Sequence, residues 1–186
     1  SSFYFLGVFY ENFQLFLIFV LFSNLSANIF DDKEQARKTG DIVQIAVPLY
    51  AFGLLFYNDD FKDGILPYAL SFAATQGSVE ILKRVVKEER PDGSDNLSFP
   101  SGHSAAAFWG ATFIHKRYGF KQAIVPYILA SYVGYSRVKA DKHYTRDVVA
   151  GAAIAGLWNY FLVDRAPNIM LEPRSDGFFL RYAKNF

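Results

Sequence analysis

The chain has 186 residues, 52% of them hydrophobic and 18% aromatic, with 20 Phe and 12 Tyr. Its 19 Lys and Arg against 18 Asp and Glu leave a formal net charge of +1. That excludes a nucleic-acid binder working by bulk positive charge, and an acidic disordered chain. Cysteine is absent and there are three His, so disulfides, thiolate metal sites and thiol nucleophiles are excluded and imidazole chemistry has few candidates.

Taken in chain order, six charge-free runs stand out: 13–30, 42–57, 65–79, 99–114, 122–136 and 148–163. Period-2 alternation is weak within them, so they read as helices. The first, with eight apolar residues in a row from Leu15 to Phe22, ends in Ser23-Asn24-Leu25-Ser26-Ala27. It fits either a membrane anchor or a secretory signal, and both imply export of the residues beyond it. A start without Met or a basic stretch is the pattern of a truncated chain. Residues 31–41 are charged and read as an exposed linker or surface helix. The later runs are rich in small residues such as Ala105-Ala106-Ala107 and Gly151-Ala152-Ala153, which let helices approach closely. Gln44, Thr75, Gln76 and Asn159 lie inside apolar runs and have to face a bundle interior or a cavity.

A transmembrane helix needs about 17 to 20 apolar residues, and mean hydropathy is only +0.10. Composition alone therefore leaves a membrane protein and a soluble helical bundle both open. The predicted fold is all-α, an up-and-down bundle of about five to six helices with a site at one end. Residues 1–30 form the anchor or signal-like segment, 31–166 the bundle, and 167–186 a tail. In the tail, 173–177 reads as a turn and Gly177–Phe186 as a short strand or an aromatic, basic surface segment.

Three clusters carry candidate chemistry. Lys83 and Arg90-Pro91 are seven residues apart, which puts both cations on nearly one face of a helix that Pro91 brings to an end. Next comes Phe99-Pro100-Ser101-Gly102-His103-Ser104 before an apolar run. Ser101 is placed to cap a helix, and Gly102 leaves a backbone N–H open to an anion in the first turn, where His103 also sits. The third is Ser136-Arg137, then His143, then Asp147. With a helix starting at Tyr144, His143 and Asp147 become i, i+4 neighbours. The carboxylate then accepts the Nδ1 proton and leaves the Nε2 lone pair outward. Arg137 offers a planar fork for an oxyanion. Each cluster alone also fits an ordinary solvated face or a capped helix. Alternating the runs up and down brings all three to one end.

Together, Lys83…Arg90-Pro91, Pro100-Ser101-Gly102-His103 and Ser136-Arg137…His143…Asp147 resemble the three-part signature of the type 2 phosphatidic acid phosphatase and vanadium haloperoxidase superfamily. The signature spans 83–147, and the helical pattern extends the likeness over about 42–165. The resemblance implies an all-helical bundle and metal-independent hydrolysis of a phosphate monoester or pyrophosphate. No cofactor is implied, vanadate being expected only as an inhibitor or in a haloperoxidase. Carried over by position, His143 is the nucleophile, giving a phosphohistidine, and Asp147 orients and stabilises it. His103 is the general acid that protonates the leaving oxygen and later activates water. Lys83, Arg90, Ser101, Gly102 and Arg137 hold the phosphoryl oxygens.

The chemistry is consistent. Catalysis of phosphoryl transfer is mostly positioning and charge stabilisation, and a covalent intermediate divides a very slow reaction into two easier steps. A neutral nucleophile beside a protonated acid predicts a bell-shaped pH dependence. Of the remaining residues, His115 reads as surface, Trp109 and Trp158 as packing, and Asp92 and Asp95 as groups that exclude some substrates. Asp141, Lys142 and Arg146 read as a solvated loop.

The expected substrate is a phosphorylated lipid: phosphatidate, phosphatidylglycerophosphate, polyprenyl pyrophosphate or a lipid A phosphate. The expected location is a membrane, with no nucleic-acid partner. Lys116, Arg117 and Lys121 lie opposite the site, and basic loops stay cytoplasmic, so the site is expected to face the periplasm or exterior. A soluble periplasmic acid phosphatase of the same chemistry is the alternative, followed by a haloperoxidase. A non-catalytic phosphate or lipid binder is disfavoured, because it would need neither the two His nor Asp147.

Overall fold

The computed structural model describes residues 29–166 and the backbone of a C-terminal hairpin. The anchor-or-signal reading of 1–30 lies almost wholly outside the described residues, as do Ser175 and Asp176 of the predicted tail turn. Among the described residues five helices occur in order: α1 (Lys33–Tyr57), α2 (Phe61–Val86), α3 (Gly102–Tyr118), α4 (Phe120–Lys139) and α5 (Thr145–Leu162). After them β1 (Asn168–Arg174) pairs antiparallel with β2 (Gly177–Ala183), Arg174 opposite Gly177. A strand after Gly177 is one of the two sequence readings of the tail; its partner β1 is not among them.

The helices form because apolar residues recur on one face. In α1 the buried positions are Ala36, Gly40, Val43, Val47, Ala51, Leu54 and Leu55, a stripe at spacings of three and four. Asp32 caps the helix, its carboxylate accepting from the Gln35 N–H at 2.7 Å. The central helix is α3, which packs against all four others. Its Ala105, Ala107, Trp109, Ala111, Phe113 and Ile114 are fully buried. Small residues let its neighbours come close: a Cβ on Gly110 would lie 3.0 Å from the backbone at Val47 and Pro48 of α1. Trp109 and Phe113 anchor one core cluster with Leu55 and Val163; Val43, Val47, Ala107 and Val133 form a second. Trp109 and Trp158 are packing residues, as read from the sequence, with indole N–H groups on Ser71 and Ser78 at 2.9 Å each. Thr75 and Asn159 are buried in the bundle, as their place in apolar runs required.

Alternating direction places two sets of helix ends apart. At one end Asp60, between α1 and α2, is clasped by Arg117 of α3 through two bonds of 2.5 and 2.6 Å. The Tyr118 hydroxyl donates to the same carboxylate at 2.9 Å. The sequence groups Arg117 with Lys116 and Lys121 as a basic loop opposite the site. Arg117 itself is 5% exposed, because α3 carries it inward beneath the α1–α2 turn and Asp60 neutralises it there. Signature residues occupy the other end.

Candidate active site

Lys83 enters the site by helical spacing. Ser71, Thr75, Val79 and Lys83 succeed one another every fourth residue down the buried face of α2, so the face that packs on α3 ends in an ammonium group. Its Nζ donates to the Leu97 carbonyl at 2.5 Å. The sequence put Arg90 on the same helical face, and that is incorrect. The helix stops at Val86, where Lys87 adopts a left-handed backbone with φ of 50°. Arg90 lies in the loop beyond and rejoins Lys83 through a shared acceptor, its Nη2 lying 3.4 Å from the Leu97 carbonyl.

Arg90 is held on several sides. Its Nε donates to Asp95 Oδ1 at 2.6 Å and its Nη1 to the Lys142 carbonyl at 3.0 Å. The same Nη1 lies 3.1 Å from His143 Nε2. A guanidinium only donates, so Nε2 is the acceptor and the ring proton sits on Nδ1. His143 Nδ1 is 3.4 Å from Asp147 Oδ2, the i, i+4 pairing predicted from spacing. Asp147 is completely buried, and its Oδ2 accepts from Ser98 Oγ at 2.6 Å and from the Tyr144 N–H at 2.9 Å. Among the described residues, neither His143 Nδ1 nor Asp147 Oδ1 has a hydrogen-bond partner.

Ser101 caps α3 as the sequence predicted, its Oγ 3.4 Å from the Ser104 N–H and 2.9 Å from Ser104 Oγ. Its backbone N–H donates to the Asp147 carbonyl at 3.0 Å, tying the start of α3 to the start of α5. Gly151 permits this approach, since a Cβ there would stand 2.6 Å from the Ser101 carbonyl oxygen. A Cβ on Gly102 would meet Val79 and Lys83 only at ordinary contact distances. Crowding therefore does not demand glycine at 102; its bare Cα leaves the first turn of α3 open.

His103 and Arg137 meet on a residue the sequence reading passed over. Asp41 Oδ1 accepts from Arg137 Nη1 at 2.7 Å and lies 3.2 Å from His103 Nε2. Gly40 makes this contact feasible: a Cβ there would fall 2.0 Å from Ser136 Oγ and 2.5 Å from Arg137 Nη2. With no Cβ, α1 presses against α4, and Arg137 Nη2 reaches the Arg37 carbonyl at 2.6 Å. Ser98 was likewise missed. Neither carries a sequence signal of its own: Asp41 merely borders the apolar run of α1, and Ser98 merely lies next to the second motif.

Both imidazoles sit at the polar rim of the bundle and both are hard to protonate. Burial, then the charges of Arg90 and Lys83, push His143 down to about 4 against the pull of Asp147. Burial and Arg137 lower His103 to about 4, with Asp41 opposing. Around the mouth, exposed ion pairs join Lys142 to Asp92, Arg146 to Glu88 and Lys33 to Asp141. The residues read as a solvated loop thus fasten that loop to its neighbours.

A cavity of about 450 Å³ opens beside His103 between α1, α2 and α3, with Ile45, Leu49, Phe72 and Ala106 in its wall. A larger one, about 570 Å³, lies towards the far end of α3 around His115, Lys116 and Asn159 and contains none of the signature residues.

The PAP2 superfamily pattern matches residues 64–170. The chain is 32% identical over 181 residues to a lipid A 1-phosphatase of Porphyromonas gingivalis, covering 83% of this chain and 41% of that protein. It therefore spans less than half of that relative's length. It is 30% identical over 140 residues to a lipid A 4′-phosphatase of Helicobacter pylori, covering 69% of this chain and 70% of that one. The crystal structure of Aquifex aeolicus LpxE superposes with a TM-score of 0.55 at 22% identity, over 80% of this chain and 93% of that one. That likeness extends to the fold.

Proposed function

The chain belongs to the PAP2 superfamily, and from the geometry of its rim we propose that it hydrolyses a phosphate ester on a membrane lipid through a phosphohistidine, without a metal ion. The observation that carries this reading is His143 held between Arg90 and Asp147, with Nε2 as the basic nitrogen.

In the proposed reaction the phosphoryl group enters among Lys83, Arg90, Arg137 and the open turn at Ser101-Gly102. Arg90 transfers its donor from His143 Nε2 to a phosphoryl oxygen, which frees the lone pair. Nε2 attacks phosphorus, the bond to the ester oxygen breaks, and that oxygen takes the proton of His103. Asp147 balances the charge that appears on the His143 ring. His103, now neutral, removes a proton from water; the resulting hydroxide displaces Nε2 and releases inorganic phosphate. The cations supply charge stabilisation of the kind a divalent ion supplies in other phosphoryl-transfer sites.

Three features support a lipid substrate and a membrane setting. The cavity beside His103 has an apolar wall. The helix α1 is long and apolar enough to cross a bilayer. Large apolar side chains such as Ile42, Leu49, Leu66, Ile128, Val149 and Phe161 stand exposed around the bundle, a surface suited to acyl chains rather than water. The named relatives make lipid A phosphates the first substrates to try. With Arg117 committed to Asp60, Lys116 and Lys121 remain as the basic residues of the far loop, which supports a site on the periplasmic or exterior side.

The test is phosphate release in EDTA from lipid A phosphates, phosphatidate, phosphatidylglycerophosphate and polyprenyl pyrophosphate, by wild type and by His143→Ala. Release from at least one lipid, abolished by the substitution, is expected. Full activity in His143→Ala would refute the nucleophile, and recovery in the aqueous rather than the detergent phase would favour a soluble phosphatase.

A further inference from the structure

Arg137 and His103 converge on one oxygen, Asp41 Oδ1. These are the two donors that the proposed reaction directs at the phosphoryl group: one grips a phosphoryl oxygen and the other protonates the leaving oxygen. The oxygen they share therefore stands where an oxygen of the substrate belongs. Asp41 is 36% exposed at its side chain, so it has room to swing aside, and Arg37 Nη1 is available to it at 3.2 Å from Oδ2.

We propose that Asp41 is a positioning residue for the acid His103. It holds the ring with Nε2 aimed into the phosphate site and favours the protonated ring until the phosphoryl group takes its place. This rests on the phosphatase reading above. The charged groups acting on His103 come from three directions: Asp41 from α1, Arg137 from α4 and Arg90 from the loop after α2. Only Asp41 among them favours the imidazolium, as an opposite charge at this distance does. The backbone is built to keep it there, since the missing Cβ at Gly40 lets α1 lie against Ser136 and Arg137. A carboxylate needed only to neutralise Arg137 would have no reason to share its oxygen with the second imidazole.

Leaving-group chemistry separates this role from a structural one. A p-nitrophenolate departs without a proton, whereas an alkoxide needs one. Asp41→Asn keeps an acceptor oxygen and removes the charge. We expect it to lose about tenfold or more in kcat/KM for a long-chain alkyl phosphate, since Asp41 acts on the free enzyme, a fraction of the roughly 10²–10⁴ that general acid catalysis supplies. The kcat/KM for p-nitrophenyl phosphate should stay within about threefold, and Asp41→Glu should recover much of the alkyl phosphate kcat/KM. Equal losses on both substrates, total inactivity included, would overturn the proposal, as would no loss on either. Wild-type protein that releases phosphate from neither substrate would instead overturn the phosphatase reading.

Discussion

Arg90 Nη1 lies 3.1 Å from His143 Nε2, so the guanidinium covers the lone pair that attacks phosphorus in the proposed reaction. In that reaction, binding of the phosphoryl group and exposure of the proposed nucleophile become one event. Arg90→Lys should break that link. A lysine keeps the charge, but it cannot serve Asp95, the Lys142 carbonyl, the Leu97 carbonyl and His143 at once from a planar fork. A fall of about 10²–10³ in kcat/KM is expected in a steady-state phosphate-release assay, by analogy with the loss of one preorganised donor.

In the proposed reaction the two imidazoles set the pH dependence. His143 acts neutral, so activity should fall as pH drops through about 4, where it takes up a proton. His103 acts protonated, and with its own value also near 4 the free enzyme loses the acid as pH rises above that point. The profile of kcat/KM, which reports the free enzyme, should therefore peak on the acid side. In the proposed complex the phosphate anion replaces Asp41 beside His103 and favours its cation, so the basic limb of kcat should lie at higher pH than that of kcat/KM. Paired profiles over about pH 3 to 9 check this; coincident limbs in both would contradict it.

Gly151→Ala should damage stability and rate together. Its Cβ would stand 2.6 Å from the Ser101 carbonyl oxygen, a backbone atom with little freedom to give way. Forced separation of α5 from α3 should cost about 1–3 kcal/mol and shift Asp147 relative to the capped turn. Thermal unfolding in detergent and turnover of the same sample would both fall; Gly77→Ala, where a Cβ meets nothing within 4 Å, is the control.

At the far end, Arg117→Met should leave a carboxylate buried without its cation, since Asp60 and Arg117 are each 4% exposed at the side chain. Breaking one partner of a buried pair costs about 3–5 kcal/mol. The expected signature is a large drop in unfolding temperature, with unchanged kcat in the protein that remains folded. A change in the pH profile would mean that the two ends of the bundle communicate.

Much of the fold and site is legible in the chain because the signature is local. Ser101-Gly102-His103 opens a helix, and His143 and Asp147 straddle the start of another, so neighbouring residues already fix their geometry. Lys83 and Arg90 were read correctly as partners for an incorrect reason. The helix ends before Arg90, and a carbonyl at Leu97 reunites the two cations. Asp41, Ser98 and the burial of Arg117 were out of reach, because each depends on which distant helix lies alongside. Asp41 is 96 residues from Arg137, and only the packing of α1 on α4 gives it meaning.

The hydrogen bond from the Ser101 N–H to the Asp147 carbonyl sets the amino-terminal ends of α3 and α5 side by side. Helix macrodipoles point their positive poles outward at such ends. Part of the attraction for an oxyanion therefore belongs to the main chain and survives every side-chain replacement. Variants stripped of a cation should still capture phosphate, though more weakly.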